Sequence, residues 1–157
     1  MKIIVEGHDA AGKTTLINKL KEHYNISNVI HLTNKMDRSF NFYKNKLLMY
    51  RDDVIFDRQF ISEFVYSNVL KRDTEITLEK LDELFEYTKF TDYVIIICET
   101  SKPNYKPDEY IEVIKKEYKI KAMYRGIQET YDLILHDYTK DSFEDLIEEI
   151  ESRVDDH

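Results

Sequence analysis

Eight consecutive residues near the start of the chain have the types and spacing of a phosphate-binding loop. The segment Gly7-His8-Asp9-Ala10-Ala11-Gly12-Lys13-Thr14 fits the pattern G-x-x-x-x-G-K-S/T. Loops of this pattern aim backbone N–H groups at a phosphate, and the helix that follows adds partial positive charge. Lys13 would reach the β- and γ-phosphates of a nucleotide, and the Thr14 hydroxyl would hold Mg²⁺. We therefore expect the stretch from Gly7 to Thr15 to bind nucleotide phosphates.

The surroundings of this loop support the same interpretation. The apolar run before it, residues 2–5, is typical of a buried strand, and residues 15–20 are typical of the start of a helix. The chain has three glycines, and two of them, Gly7 and Gly12, lie in this loop. Glycine placed so selectively indicates backbone conformations that a Cβ would disfavour.

A second group of polar residues follows the third apolar run. Asp57 and Arg58 come directly after it, where open α/β sheets bind their ligands. A carboxylate there can contact Mg²⁺ or the phosphate acceptor, and an arginine offers a planar fork of donors to phosphate oxygens. Ser62 and Tyr66 lie one helical turn apart on the segment that follows, so they would share a face of the cleft. The alternative is an Asp helix cap beside a surface Arg.

Short apolar runs alternate with longer amphipathic stretches along the whole chain. The runs cover residues 2–5, 29–32, 53–56, 93–98 and 132–136. They are rich in Ile and Val and alternate little, which is typical of strands buried on both faces. The pattern predicts one α/β domain over residues 1–157, with helices on both faces of a parallel sheet.

The segment after the second run is the expected acceptor pocket. Asn34 and Arg38 offer polar contacts, and Phe42 offers a ring on which a base could stack. Burial of such rings in a helix–sheet core is an equal alternative for each of them. The loop around residues 139–142 is the expected neighbour of the adenine, by analogy of fold alone.

The net charge and the composition limit the classes of partner that this protein is expected to bind. The formal net charge of −8 argues against general affinity for nucleic acid or for anionic membranes. No apolar run approaches the roughly 20 residues of a membrane span. The single cysteine, Cys98, allows no internal disulfide, which fits a reducing, cytoplasmic setting. The five histidines have no metal-ligand spacing, so we expect no structural zinc.

Two motifs together resemble the thymidylate kinases. Glu6-Gly7-x-Asp9-x-Ala11-Gly12-Lys13-Thr14-Thr15 is similar to their loop E-G-x-D-G-x-G-K-S/T-T, and Asp57-Arg58 with Ser62 and Tyr66 is similar to their D-R-x-x-x-S-x-x-x-Y segment. The short chain resembles the compact, often phage-encoded, members of this group and of the deoxynucleoside kinases. The resemblance implies a three-layer α/β/α fold with five parallel strands in the order 2-3-1-4-5.

The resemblance also implies a reaction and roles within it. The γ-phosphoryl group of ATP would pass to a nucleotide or nucleoside, with Lys13 and Thr14 serving ATP and Mg²⁺. Arg58 would contact the transferred or acceptor phosphate, Asp57 the acceptor or the metal, and Asp9 the acceptor sugar. Thymidylate kinases are usually homodimers, so the resemblance also suggests a homodimer.

The chain departs from the family pattern at two places. Ala10 stands where the family usually has glycine, which an alanine can replace if φ there is negative. The expected lid, about residues 99–110, carries no arginine and has only Lys102 and Lys106. Either lysine could take over the arginine's role, or Arg125 could move in, or activity could be low.

The residues favour a deoxynucleoside monophosphate as acceptor, since Asp9 and the Asp57-Arg58 pair resemble thymidylate kinases more than nucleoside kinases. A deoxynucleoside kinase and a nucleotide-binding regulatory module with little turnover are the alternatives. A kinase acting on DNA is disfavoured by the acidic charge, and a hydrolytic GTPase by the lack of an N-K-x-D run.

Overall fold

The computed structural model describes residues 1–100 and 111–156, with side chains in the second range from residue 114 onward. Strands and helices alternate through most of the chain. In chain order they are β1 (Lys2–Gly7), α1 (Lys13–Tyr24), β2 (Val29–His31), α2 (Phe40–Leu48), β3 (Val54–Asp57), α3 (Phe60–Val69), α4 (Leu78–Phe90), β4 (Tyr93–Glu99), α5 (Ile111–Thr130), β5 (Ile134–Asp137) and α6 (Phe143–Asp155).

The five strands form one parallel sheet in the order β2-β3-β1-β4-β5, which confirms the predicted fold class and strand order. β1 lies in the middle, with Val5 beside Asp57 of β3 and Gly7 beside Cys98 of β4. Because the strands are parallel, the loops after β1, β3 and β4 all leave from one edge of the sheet. The two polar motifs of the sequence therefore meet at this edge.

Each face of the sheet has its own hydrophobic core. Ile4 and Phe56 point to the face covered by α2, α3, α4 and α5, and Ile3 and Val5 point to the face covered by α1 and α6. This alternation along β1 explains why its sequence is apolar without a break: both of its faces are buried. Within the described residues, no helix combines the length and apolar character needed to cross a membrane.

Candidate functional site

The loop between β1 and α1 needs both of its glycines. Gly7 has φ 146°, and a Cβ there would overlap the backbone carbonyl oxygen of Cys98. Gly12 has φ 82° and is the N-cap of α1, and a Cβ there would lie 2.7 Å from the Tyr138 ring. A side chain at either position would therefore force the loop away from its neighbours.

The backbone at Ala10 differs from the negative φ under which an alanine would easily replace glycine. Its φ is +60°, in the left-handed region, rather than negative. The loop turns here in a conformation that glycine adopts freely and that costs an alanine roughly 1–2 kcal/mol. The loop therefore has at Ala10 a backbone conformation that favours glycine, although the residue is alanine.

Two other residues of the loop, Ala11 and His8, have buried side chains. Ala11 is buried and packs beside Leu16 and Ile17, so only its backbone can reach a phosphate. His8 is also buried, with Nδ1 2.8 Å from the Asp9 carbonyl oxygen. Burial lowers the pKa of His8, which keeps its ring neutral at pH 7.

The first turn of α1 faces a cleft of about 570 Å³, which we call the donor cleft. Thr14 and Thr15 are exposed there, and none of the side chains that the structure describes caps the N-terminus of α1. Its free N–H groups and the nearby Lys13 suit an anion. The donor cleft is lined by Ala10, Gly12, Lys13, Thr14, Thr15, Leu16, Lys19, His136, Tyr138, Asp141 and Phe143. The lining thus includes residues at and next to the 139–142 loop expected near the adenine.

Arg58 lies across the loop from the donor cleft and is tightly held. Its φ is +70°, and its N–H donates to the Val5 carbonyl at 3.0 Å. Nη2 of its guanidinium donates to Oδ1 of Asp9 at 2.6 Å, and its Cζ lies 5.0 Å from the centre of the Tyr66 ring. The structure thus brings the third-strand motif into direct contact with the phosphate-binding loop.

Asp57 ends β3 with its two carboxylate oxygens in different surroundings. Oδ2 lies 2.8 Å from Nδ1 of His31, and Oδ1 is buried without a hydrogen-bond partner among the described residues. An unpaired buried carboxylate oxygen is rare and fits a bound cation or donor. The Asp57 carboxylate and the exposed Thr14 hydroxyl are hard oxygen groups of the kind that Mg²⁺ prefers, so they are the residues that would hold it.

A buried carboxylate, Glu6, connects β1 to α3 and α5. Its side chain accepts hydrogen bonds from the N–H of Gln59 at 2.5 Å and of Ser62 at 3.3 Å, and from the hydroxyls of Ser62 and Tyr124. Burial raises the pKa of Glu6 to about 7, although these hydrogen bonds act in the opposite direction. Sequence reasoning used Glu6 only as part of the loop motif; the signal for more was a carboxylate in a strand that is otherwise apolar.

On the same side as Arg58 lies a cleft of about 330 Å³, which we call the acceptor cleft. The residues around it come from the loop after β1, the segment after β2, α2, and the stretch that runs from the end of β3 through α3 to Arg72. They are Asp9, Leu32, Thr33, Asn34, Tyr43, Arg58, Gln59, Ser62, Glu63, Tyr66, Leu70 and Arg72. Asp9, Asn34, Arg58, Ser62 and Tyr66 are therefore together, as the sequence predicts, although the Ser62 hydroxyl already contacts Glu6.

Two predicted acceptor-site residues are not in the lining. Phe42 packs edge-on against Tyr43 with Lys46 over its ring, and Tyr43 faces the cleft instead. Neighbouring residues on a helix point about 100° apart, so only one of this pair can face the cleft. Arg38 is engaged elsewhere: its Nε and Nη2 donate to the two carboxylate oxygens of Glu63 at 2.7 and 3.0 Å.

Glu63 was missed by sequence reasoning and forms the centre of a buried ion pair. Its side chain is 2% exposed and accepts further hydrogen bonds from the hydroxyls of Ser67 at 2.8 Å and Thr74 at 2.7 Å. Burial alone would raise the pKa of Glu63, but the donors from Arg38, Thr74 and Ser67 lower it below its usual value. The only signal in the sequence was a carboxylate on the apolar face of α3.

The predicted lid lies mostly outside the described residues, and so do Lys102 and Lys106. At its described edge, Nη2 of Arg125 lies 2.5 Å from a carboxylate oxygen of Glu99. The Lys121 ammonium donates to the Thr100 carbonyl at 2.8 Å. Arg125 is therefore held at the end of β4 by a carboxylate.

No protein-family model and no curated protein sequence matches the chain. Among solved structures, the YorR protein of Bacillus subtilis in complex with phosphorylated GDP has a TM-score of 0.75 at 22% identity, over 99% of this chain and 96% of that one. Deoxyadenosine kinase from M. mycoides with bound dATP has a TM-score of 0.53 at 16% identity, over 99% and 100% of the two chains. Thymidylate kinase from Candida albicans has a TM-score of 0.54 at 16% identity, over 96% and 90%. The chain therefore has the fold of nucleotide and nucleoside kinases, as its motifs predict.

Proposed function

We propose that this protein is an ATP- and Mg²⁺-dependent kinase that phosphorylates a deoxynucleoside monophosphate. The observation that carries the proposal is the Arg58–Asp9 contact of 2.6 Å. It sets a guanidinium beside the phosphate-binding loop, between a cleft that suits a triphosphate and a cleft that suits a nucleotide. Solved proteins of the same fold include kinases of deoxynucleosides and of thymidylate.

In this proposal the protein positions the reactants and neutralises charge, since phosphoryl transfer requires little covalent chemistry from the enzyme. The loop amides and Lys13 bind the β- and γ-phosphates of ATP, and Arg58 bridges the transferred group and the acceptor phosphate. An acceptor oxygen forms a bond to the γ-phosphorus as the bond to the β-phosphate oxygen breaks, and ADP leaves. Thr14 and Asp57 would hold Mg²⁺, which supplies further positive charge to the phosphates when bound.

A screen of ADP release over all nucleosides and their monophosphates tests this proposal. The expected result is turnover with one or more deoxynucleoside monophosphates, reduced at least a hundredfold in Lys13→Ala. Lys89→Ala, which removes an exposed lysine of α4, is the matched control and should leave turnover unchanged. Equal turnover by Lys13→Ala in a clean preparation would refute the proposal.

The ion pair between Arg125 and Glu99 favours a second candidate function, a nucleotide-binding module with little turnover. Held by Glu99, it is not free to grip a transferring phosphoryl group in the described geometry. A module that binds ATP with negligible transfer would fit this arrangement. In the same screen it would show ATP binding without ADP release for any acceptor, whereas a deoxynucleoside kinase would release ADP with nucleosides alone.

A further inference from the structure

The acceptor cleft contains a buried side-chain nitrogen that has no hydrogen-bond partner among the described residues. It is Nε of Arg72, whereas the Tyr66 side chain in the same cleft already interacts with Arg58. Buried polar atoms are almost always paired, so an unpaired guanidinium nitrogen that lines a cleft indicates that a ligand completes it. Tyr66 was expected at the site, but Arg72 has no part in either sequence motif.

The backbone fixes Arg72 at the end of the cleft far from the phosphate-binding loop. α3 has ten residues and rises about 15 Å along its axis. Arg58 precedes its first turn, whereas Arg72 follows its last. There Lys71 adopts a left-handed conformation with φ 54°, and the Arg72 N–H donates to the Ser67 carbonyl at 2.8 Å. This C-terminal cap holds the root of the Arg72 side chain in place.

The charge of Arg72 is not neutralised by the residues around the cleft. Arg58 is paired with Asp9, and Arg38 with Glu63. The carboxylate of Glu63 already accepts four hydrogen bonds, from Arg38, Ser67 and Thr74, and none of them comes from Arg72. In the part of the chain that the structure describes, no carboxylate lies within ion-pair distance of Arg72.

The cleft orients an acceptor nucleotide relative to Arg72. If the proposed function holds, the reacting oxygen of the acceptor lies beside Lys13 and Arg58, and the opposite end of the acceptor, its base, extends toward Arg72. Leu32, Tyr43 and Leu70 add apolar and aromatic side chains to the lining of the cleft. Such walls suit a flat, largely apolar ring that carries a few polar atoms at its edge.

We propose that Arg72 recognises the base of the acceptor and selects bases that present a carbonyl oxygen to it. This inference rests on the proposed function and refines its substrate class. A guanidinium has only donors, so it pairs with the O4 of thymine or uracil or with the O6 and N7 of guanine. The exocyclic amino groups of cytosine and adenine are donors at the matching edge, so they face the guanidinium donors of Arg72 unfavourably, and adenine keeps only N7 there as an acceptor. The acceptor is therefore a thymidylate, uridylate or guanylate deoxynucleotide.

The test compares kcat/KM for the monophosphates of all five deoxynucleosides in the wild-type protein, Arg72→Met and Arg72→Lys. We expect the wild type to prefer dTMP, dUMP or dGMP. Arg72→Met should lower kcat/KM for the preferred acceptor about 10- to 100-fold, mainly through KM, and leave dCMP and dAMP within about twofold. Arg72→Lys should restore part of this loss. Arg51→Met, which removes an exposed arginine that has no ion pair among the described residues, is the matched control.

Several results would overturn the inference. They are a wild-type preference for dCMP or dAMP, an equal loss for every acceptor in Arg72→Met, or no loss at all. Circular dichroism and thermal unfolding check that each variant is folded. If no acceptor is phosphorylated, the proposed function fails by itself.

The shift in the thermal midpoint of unfolding on adding each monophosphate then tests the role of Arg72 separately. A shift with dTMP, dUMP or dGMP that is lost in Arg72→Met supports base recognition by Arg72. A shift that is unchanged in Arg72→Met refutes it.

Discussion

Replacing Glu6 with Gln tests whether the buried carboxyl between β1 and α3 is protonated in the native protein. Glu6 is 0% exposed, and burial raises its pKa from 4.5 to about 7. A glutamine can replace the protonated form: its carbonyl accepts from the N–H groups of Gln59 and Ser62, and its amide donates to the Ser62 hydroxyl. Because the glutamine never ionises, Glu6→Gln removes the titration and keeps the shape.

The size and sign of the effect follow from the pKa. The native carboxyl binds its proton more tightly than the unfolded one, so between about pH 4.5 and 7 the native state carries an extra proton. The contribution of Glu6 to stability is therefore full below pH 4.5 and is lost as the pH rises through 7. A rise from 4.5 to about 7 corresponds to a loss of roughly 3 kcal/mol in the free energy of unfolding at high pH.

Urea denaturation of wild type and Glu6→Gln at pH 5 and pH 8 measures this quantity. Relative to the variant, the wild type should lose roughly 3 kcal/mol between the two pH values, or about 6–12 °C in thermal midpoint for a chain of this size. Glu148→Gln, which removes an exposed carboxylate of α6, controls for the general change in net charge. A wild-type-to-variant difference that is the same at both pH values would show that Glu6 does not titrate in this range, and the reasoning would be refuted.

Three further predictions concern the loop and the acceptor cleft. Arg58→Lys should lower kcat at least tenfold because the guanidinium fork is lost, while Arg153→Lys on α6 should not; a loss below threefold would contradict the role of Arg58. Ala10→Gly should raise the free energy of unfolding by about 0.5–1 kcal/mol, since relief of the left-handed alanine exceeds the entropy cost of glycine; a decrease in urea denaturation would contradict the strain. Arg38→Met should destabilise the fold by about 1–3 kcal/mol, because the buried Glu63 loses its cation and keeps only the Ser67 and Thr74 hydroxyls, and the added change Glu63→Met should recover most of this; no recovery in the double variant would contradict the pairing.

The sequence by itself was enough to predict the fold and the phosphate-binding loop. Five Ile- and Val-rich runs, separated by helical stretches, predict a buried parallel sheet, and the resemblance supplied the strand order that the structure has. Gly7 and Gly12 could be identified because a loop of this type needs backbone conformations that only glycine adopts freely, which is a local property. The Asp57-Arg58 motif could be placed at the same edge because parallel strands end on one side of a sheet.

Only the tertiary structure decided which side chains share a cleft. Glu6 meets Ser62 and Tyr124 across 56 and 118 residues, and no local pattern encodes such partners. Whether Phe42 or Tyr43 faces the cleft depends on the rotation of α2, which its packing fixes and its sequence leaves open. Arg72 stood out only once the other cleft arginines were seen to be paired. Local preferences set the backbone of the loop and the elements, whereas charge pairing and helix rotation depend on contacts between distant segments.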